Sequence, residues 1–180
     1  MTRLFLACCL ACAASIASAT GVAAQDAVPN RAEPANDASF MRHARATAQS
    51  EIDLAELVQG RGQDEGVKAL ASKIKTDDLQ MVVDLKALAS SKHVDLLVPV
   101  GLDKTTRDQF TKLSGAEFDR AYLDRTVQDH RQTTANFIQA SGSADEDVRA
   151  FAQKVLPTLS ERQRQADELQ KKFGERAKAR

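Results

Sequence analysis

The stretch Leu113–Phe137, LSGAEFDRAYLDRTVQDHRQTTANF, decides the fold that this sequence predicts. Ser114, followed three residues later by Glu117, is typical of a capping box, in which the two side chains satisfy free amides at a helix start. Behind it an inward-facing stripe recurs at helical spacing, and its members are Ala116, Leu123, Val127, His130, Thr134, Phe137 and Ser141. The stretch therefore predicts a long helix with His130 in the middle of its apolar face.

Three other segments carry apolar stripes of the same period. Gly60 and Gly62 in GRGQDEG can end the first of them, because glycine readily takes the left-handed conformation that closes a helix. Pro157 is expected to kink the last one, because proline removes a backbone donor. Their predicted ranges run from Asp37 or Ser39 to about Gln59, from about Asp64 to about Lys92, and from about Ala144 to about Phe173.

The segment between the second and third long helices has a different character. HVDLLVPVGLD contains Pro99 and Gly101, which oppose a continuous helix, and its Val/Leu run is expected to lie across the end of a bundle. A β-strand is the alternative prediction for this segment, but a lone strand would have no partner strand to pair with. A short helix is predicted from Asp103 or Thr105 to about Lys112. Phe118 and Tyr122 point away from the main stripe and are assigned to contacts with it, with the Tyr122 hydroxyl at an edge.

Four amphipathic helices with short first and last connections predict an all-α fold, an antiparallel four-helix bundle whose long middle connection contains a short extra helix. The bundle domain is expected to span residues 37–174, with a flexible leader at 25–36 and a basic, frayed tail at 175–180. The formal net charge is zero, which gives no field to attract a polyanion, so no nucleic-acid partner is predicted. Phosphate loops, nucleophile elbows and zinc-type Cys/His pairs are missing from the sequence, so no enzyme class with a strong signature is supported.

The N-terminus predicts export. Thr2-Arg3, the run LFLACCLACAASIASA and the small residues Val22-Ala23-Ala24 form a signal-peptide pattern over residues 1–24, with Ala19 as the alternative cut. No segment approaches the roughly 20 apolar residues that a stable membrane span needs. All three cysteines, Cys8, Cys9 and Cys12, lie inside this signal. The exported protein is therefore expected to have no disulfide and no thiol chemistry.

One ionisable residue lies at the centre of each apolar stripe. Glu51 lies eleven residues after Phe40, Asp78 eleven after Val67, and the other two long helices carry His130 and Arg162 at corresponding places. The middles of antiparallel helices meet, so these four groups are expected to form one buried layer. Burying charges is costly unless they neutralise one another.

Two hypotheses for the role of this layer remain open. In the first, Glu51 and Asp78 pair with Arg162 and a protonated His130, making a charge-balanced network that fixes helix register. In the second, Glu51, Asp78 and His130 bind a divalent metal ion, as facing helices of bundles can. Arg162 favours the first reading, because a guanidinium competes with a metal for the carboxylates. The other histidines, His43 and His93, are expected to be solvated, and Asp77 to lie at the rim.

Several stretches resemble the exported bacterial proteins grouped as domain of unknown function 4142. They are Phe40 through Leu57, KALASKIKTDDLQ, LSGAEFDRAYLDRTVQDH and KVLPTLSERQ, and the resemblance covers about Ala38 to Phe173. It implies a ferritin-like four-helix bundle in the periplasm or cell envelope, with no established activity. The family pattern has Glu at Glu51 and His at His130, but it tends to have His where this chain has Asp78 and Arg162.

The sequence thus predicts a non-enzymatic envelope protein, stress-related or an interaction module with a protein partner in the envelope, that needs no cofactor. The first alternative is a metal-binding or metal-dependent redox protein that uses Glu51, Asp78 and His130. The second is a protein-binding inhibitor or chaperone-like module.

Overall fold

The computed structural model describes residues 35–97 and 101–178, and it confirms an all-helical bundle. The signal peptide, most of the leader, Pro99 and the last two residues of the tail lie outside the described residues. The helices are α1 Ala35–Arg61, α2 Glu65–Ser91, α3 Lys104–Phe110, α4 Gly115–Ala140 and α5 Glu146–Lys178. No strand occurs in either described range, so the strand reading of the middle connection finds no support there.

Four long helices form a ring in which each packs on two neighbours: α1 on α2 and α4, and α5 on α2 and α4. Contacts near the helix ends give the directions. Asp37 near the start of α1 accepts a hydrogen bond from Ser143 in the α4–α5 turn, and Lys92 at the end of α2 pairs with Asp145 before α5. Neighbours in the ring are therefore antiparallel, and a long connection must return the chain from the end of α2 to the start of α4.

The described residues of that connection run along α1, which corrects the expectation of a path across the end of the bundle; residues 98–100 of the Val/Leu run lie outside the described residues. The connection contacts α1 near both ends, through Arg42 to the Asp95 carbonyl and through Arg61 to the Leu113 carbonyl. Between them Asp53 accepts hydrogen bonds from the Leu102 amide at 3.0 Å and from the Arg107 guanidinium at 2.9 Å. The Asp53 carboxylate thus fixes the connection to the side of the bundle.

The predicted capping box at the start of α4 is wrong in its chemistry. Ser114 occupies the cap position, but its side chain makes no hydrogen bond to the first turn. Gly115 has a φ of +59°, so the chain enters α4 through a left-handed residue, which a capping box does not contain.

Two further expectations for the long helices need correction. Tyr122 is only 2% exposed and belongs to the same apolar cluster as Phe110, so its hydroxyl is not at an edge, whereas Phe118 does stack edge-on with Phe110 at 5.6 Å as expected. Helix α5 continues through Pro157 and past Phe173, and Arg176 near its end pairs with Asp64 at 2.9 Å. The residues expected to be frayed are therefore helical to Lys178.

Candidate functional site

The four ionisable residues singled out in the sequence lie between two separate apolar clusters. One cluster, defined by Leu54, Ile74, Val127 and Ala166 among others, fills the half of the bundle near the α1–α2 turn. The other, defined by Ala48, Met81, Phe137 and Leu159 among others, fills the opposite half. Along every long helix the ionisable residue falls between members of the two clusters. We call Glu51, Asp78, His130 and Arg162 the buried layer.

Arg162 occupies the centre of the buried layer. Its Nη1 donates to Asp78 Oδ1 at 2.7 Å and lies 3.8 Å from Glu51 Oε2. Its Nε donates to Asp77 Oδ2 at 3.2 Å, and its Nη2 donates to the Ile74 carbonyl at 3.2 Å. Every nitrogen of the guanidinium therefore has an acceptor, and three carboxyl groups surround one fixed positive charge.

Glu51 and His130 form the other half of the layer. His130 Nε2 lies 3.2 Å from Glu51 Oε2, which is hydrogen-bonding distance. The Glu51 side chain is 11% exposed, whereas those of His130 and Asp78 are buried. Three buried atoms of the layer have no hydrogen-bond partner among the described residues, namely Glu51 Oε1, Asp78 Oδ2 and His130 Nδ1. Every nitrogen of the Arg162 guanidinium is thus paired, whereas Glu51, Asp78 and His130 each keep one unpaired polar atom.

Burial makes both carboxyl groups of the layer weak acids. It raises the pKa of Glu51 to about 7, against the opposing effects of Asp78 and Arg162. Burial, together with the nearby Glu51 charge, raises the pKa of Asp78 well above its usual range. The pKa of Arg162 is raised despite burial, because Asp78, Glu51 and Asp77 surround it. One guanidinium cannot neutralise every carboxylate near it, so the folded layer favours a proton retained by Glu51 or Asp78.

The surroundings of His130 oppose the protonated form that the charge-balanced network assumes. Burial, and next the positive charge of Arg162, lower the His130 pKa to about 4. The layer therefore has a different charge balance from the one the sequence predicted. Its positive charge comes from Arg162, and its surplus negative charge is reduced by protonation of a carboxyl group.

A small cavity borders the layer between α1 and α4. Its volume is about 10 Å³, which is room for about one water molecule. The lining includes Glu51, His130, Tyr122 and Thr126. Burial raises the pKa of the Tyr122 phenol well above its usual range, so Tyr122 stays neutral beside this cavity.

Sequence reasoning missed two polar groups that matter to the interior. Asp77 was placed at the rim, and it is indeed part-exposed, yet it also accepts the Nε hydrogen bond of Arg162. Asp119 is 1% exposed and accepts hydrogen bonds from the Gln63 and Asp64 amides in the α1–α2 turn. The only sequence signal for Asp119 was its place beside Phe118. His43 and His93 are exposed.

The hypothesis that the layer binds a metal ion depends on how its donor atoms are arranged. Among residues 35–97 and 101–178, no group of three or more His, Cys, Asp or Glu side chains is arranged to hold a metal ion. Asp78 and Asp77 direct oxygens to different nitrogens of Arg162. Glu51, Asp78 and His130 therefore do not fit a metal ion while the guanidinium is in place.

Comparisons with known proteins identify a family and a fold. The profile of "Domain of unknown function (DUF4142)" matches residues 19–169. A DUF305 fragment from Deinococcus radiodurans superposes with a TM-score of 0.70 at 15% identity, covering 78% of this chain and 98% of that one. A DUF305 protein from Streptomyces coelicolor, described as secreted, gives 0.68 at 16% identity, covering 77% and 94%.

At this identity the solved structures support the fold alone, a helical bundle. No curated protein matches the chain. Within the described residues, no helix is both long enough and apolar enough to cross a bilayer.

Proposed function

Because the chain belongs to the DUF4142 family, whose function is unknown, we propose its role from the buried layer: a non-enzymatic bundle exported to the periplasm or cell envelope. It acts in stress protection or as an interaction module. In this proposal Glu51, Asp78, His130 and Arg162 stabilise the bundle and fix how its helices align.

The size of the cavity beside the layer carries the proposal. Sites that enclose an organic ligand typically have volumes of about 300–1,000 Å³, whereas the cavity that Glu51 and His130 line holds about 10 Å³. The perturbed carboxyl groups thus have no room for a substrate beside them. Perturbed pKa values occur in structural ion-pair networks as well as in active sites, and the small cavity favours the structural explanation.

The metal-binding or redox alternative would need the same carboxylates as ligands. Asp78 Oδ1 is already 2.7 Å from the Arg162 guanidinium, which stays protonated at physiological pH. A divalent ion would have to approach this fixed positive charge at short range. The arrangement of the side chains therefore supports the structural role over a metal site.

Elemental analysis of the protein, purified from cells grown in medium containing iron, manganese and zinc, tests this proposal. We expect much less than one metal ion per chain in the wild type and in the Glu51→Ala and His130→Ala variants. Stoichiometric metal in the wild type that is lost in both variants would show that the layer is a metal centre.

Export is the second part of the proposal, supported by the signal pattern and by the description of the Streptomyces coelicolor protein as secreted. Intact-mass measurement of the periplasmic protein should give a cysteine-free chain that begins after Ala24 or Ala19. Ala24→Arg distinguishes the two sites, because it blocks a cut after Ala24 and leaves one after Ala19 unchanged. Full-length protein found only in the cytoplasm would contradict export.

A further inference from the structure

The acceptors around Arg162 match the shape of its guanidinium group as well as its charge. Asp78 Oδ1 accepts from Nη1 at 2.7 Å, Asp77 Oδ2 from Nε at 3.2 Å, and the Ile74 carbonyl from Nη2 at 3.2 Å. Two of these acceptors are carboxylates and the third is a main-chain carbonyl, all contributed by α2. Each one takes a different nitrogen of the same planar group.

This arrangement differs from what a point cation needs. A metal ion requires oxygens that converge on one centre at about 2.0–2.6 Å, whereas here the oxygens are spread along the edge of a fork. A lysine ammonium is also a point charge and cannot meet acceptors that are spaced for a guanidinium. The arrangement agrees with the lack of any metal-type grouping of acidic and histidine side chains in the described ranges.

We propose that the middle of the bundle contains a guanidinium-recognition site, formed by Asp78, Asp77 and the Ile74 carbonyl, which the chain fills with its own Arg162. This site requires a planar cation. If the arginine is removed, the site binds a free alkylguanidinium ion in preference to a divalent metal ion or an ammonium ion.

The inference takes the layer as structural, as proposed above, and adds which cation the layer requires. The two ideas can fail separately. Metal content of the native chain tests the proposed function, whereas ligand preference of an Arg162 variant tests the recognition site.

Chemical rescue provides the experiment. Arg162→Ala removes the guanidinium and most of its stem, and ethylguanidinium is about the size of the part removed. We expect low-millimolar ethylguanidinium to raise the thermal midpoint of Arg162→Ala by several degrees, on the order of 5 °C. Ethylammonium and Mn²⁺ at the same concentration should produce no comparable rise, and the wild type should respond to none of the three.

Matched variants separate recognition from a general salt effect. Arg162→Met fills the space without a charge, and Arg162→Ala/Asp78→Asn removes the closest carboxylate, so neither should be rescued. Arg162→Lys should be destabilised nearly as much as Arg162→Ala. If Arg162→Ala does not fold alone, recovery of helical circular dichroism with ethylguanidinium replaces the thermal shift as the supporting result.

Three results would overturn the inference. They are stoichiometric Mn²⁺ uptake by Arg162→Ala, wild-type stability in Arg162→Lys, and a failure of ethylguanidinium to stabilise or refold Arg162→Ala. Equal responses in Arg162→Ala and its Asp78→Asn double variant would count against it equally, because they would show that the ion acts elsewhere.

Discussion

Burial moves the protonation equilibria of Glu51 and His130 in opposite directions. The Glu51 pKa rises from 4.5 to about 7, and the His130 pKa falls from 6.5 to about 4. Between pH 4.5 and 6.5 the proton is therefore on the histidine in the unfolded chain and on the carboxyl group in the folded chain. Folding transfers it without changing the net charge of this pair.

The two residues should consequently have opposite effects on stability as pH changes. Glu51 has a raised folded pKa, so its contribution is complete below pH 4.5 and is lost as pH rises toward 7. His130 has a lowered folded pKa, so its contribution is complete above pH 6.5 and is lost as pH falls toward 4. At about 1.4 kcal/mol per pKa unit, each change amounts to about 3 kcal/mol.

Urea unfolding of the wild type, Glu51→Gln and His130→Gln at several pH values between 4 and 7.5 measures both effects. The advantage of the wild type over Glu51→Gln should shrink as pH rises, and its advantage over His130→Gln should grow. Two difference curves with the same slope, or two flat ones, would show that the folded protonation states differ from those described.

Asp119 restricts which residue fits at position 62 in the turn between α1 and α2. A Cβ at Gly62 would lie 2.7 Å from Asp119 Oδ1 and 2.9 Å from the Val58 carbonyl oxygen, whereas a Cβ at Gly60 would meet nothing within 4 Å. The Asp119 carboxylate cannot retreat freely, because it holds the Gln63 and Asp64 amides. Substitution at Gly60 is therefore a matched control for substitution at Gly62.

We expect Gly62→Ala to destabilise the fold by about 1–3 kcal/mol through this overlap. Gly60→Ala, inside α1, should be neutral or stabilising by up to about 1 kcal/mol, because alanine favours a helix more than glycine does. Thermal or urea unfolding of both variants measures the difference. Equal effects at the two positions would show that Asp119 does not restrict the turn.

At the scale of elements, the middle connection depends on one carboxylate of α1. Asp53 accepts hydrogen bonds from both the Leu102 amide and Arg107. Gly101, with a φ of +100°, lets the backbone of the connection pass close to the Asp53 carboxylate. We expect Asp53→Ala to increase hydrogen exchange in Leu102–Phe110 by about tenfold or more through local opening. The α2 and α5 amides should be affected much less.

Glu56→Ala is the control for this experiment. Glu56 also lies on α1 and also pairs with a basic residue, Lys75, but it is exposed and its partner lies on α2, not in the connection. An exposed pair contributes about 0–1 kcal/mol, so its loss should leave exchange in the connection unchanged. Similar exchange in both variants would mean that other contacts hold the connection.

The helices could be predicted because apolar periodicity is a local property of the sequence. The four long helices end within a few residues of the predicted limits, and Asp64 caps α2 through the Gly66 and Val67 amides. The path of the connection could not be predicted, because it depends on the contact between Asp53 and Leu102, which are far apart in sequence. The burial of Tyr122 follows from that path, since Leu102 and Phe110 join the cluster that contains it.

At the scale of the whole molecule, the position of the buried layer was predictable and its chemistry was not. Equal spacing along antiparallel helices placed Glu51, Asp78, His130 and Arg162 at one level. Which proton each group carries depends on desolvation and on distances that spacing does not give. The acceptor role of Asp77 was missed for a related reason, since a long arginine side chain can reach a residue that does not face the core.

If the layer is structural, replacing one of its polar groups should destabilise the fold, whereas replacing all four together should not. Breaking a buried ion pair leaves an uncompensated charge and costs about 3–5 kcal/mol, whereas replacing the whole network by apolar residues is often neutral or stabilising by about 1–4 kcal/mol. We therefore expect Arg162→Met alone to be strongly destabilised. The quadruple variant Glu51→Leu, Asp78→Leu, His130→Leu and Arg162→Met should recover wild-type stability or exceed it in urea unfolding.

Amide NMR spectra of the quadruple variant then address helix register. The two apolar clusters would merge into one continuous core, and none of the four ionisable groups of the buried layer would mark the level at which the helices align. A stable protein with broadened or duplicated resonances would mean that the layer specifies alignment at some cost in stability, as a buried polar residue does in coiled coils. A quadruple variant less stable than Arg162→Met would contradict the structural role, because it would show that the remaining carboxyl groups and His130 stabilise the fold without their guanidinium.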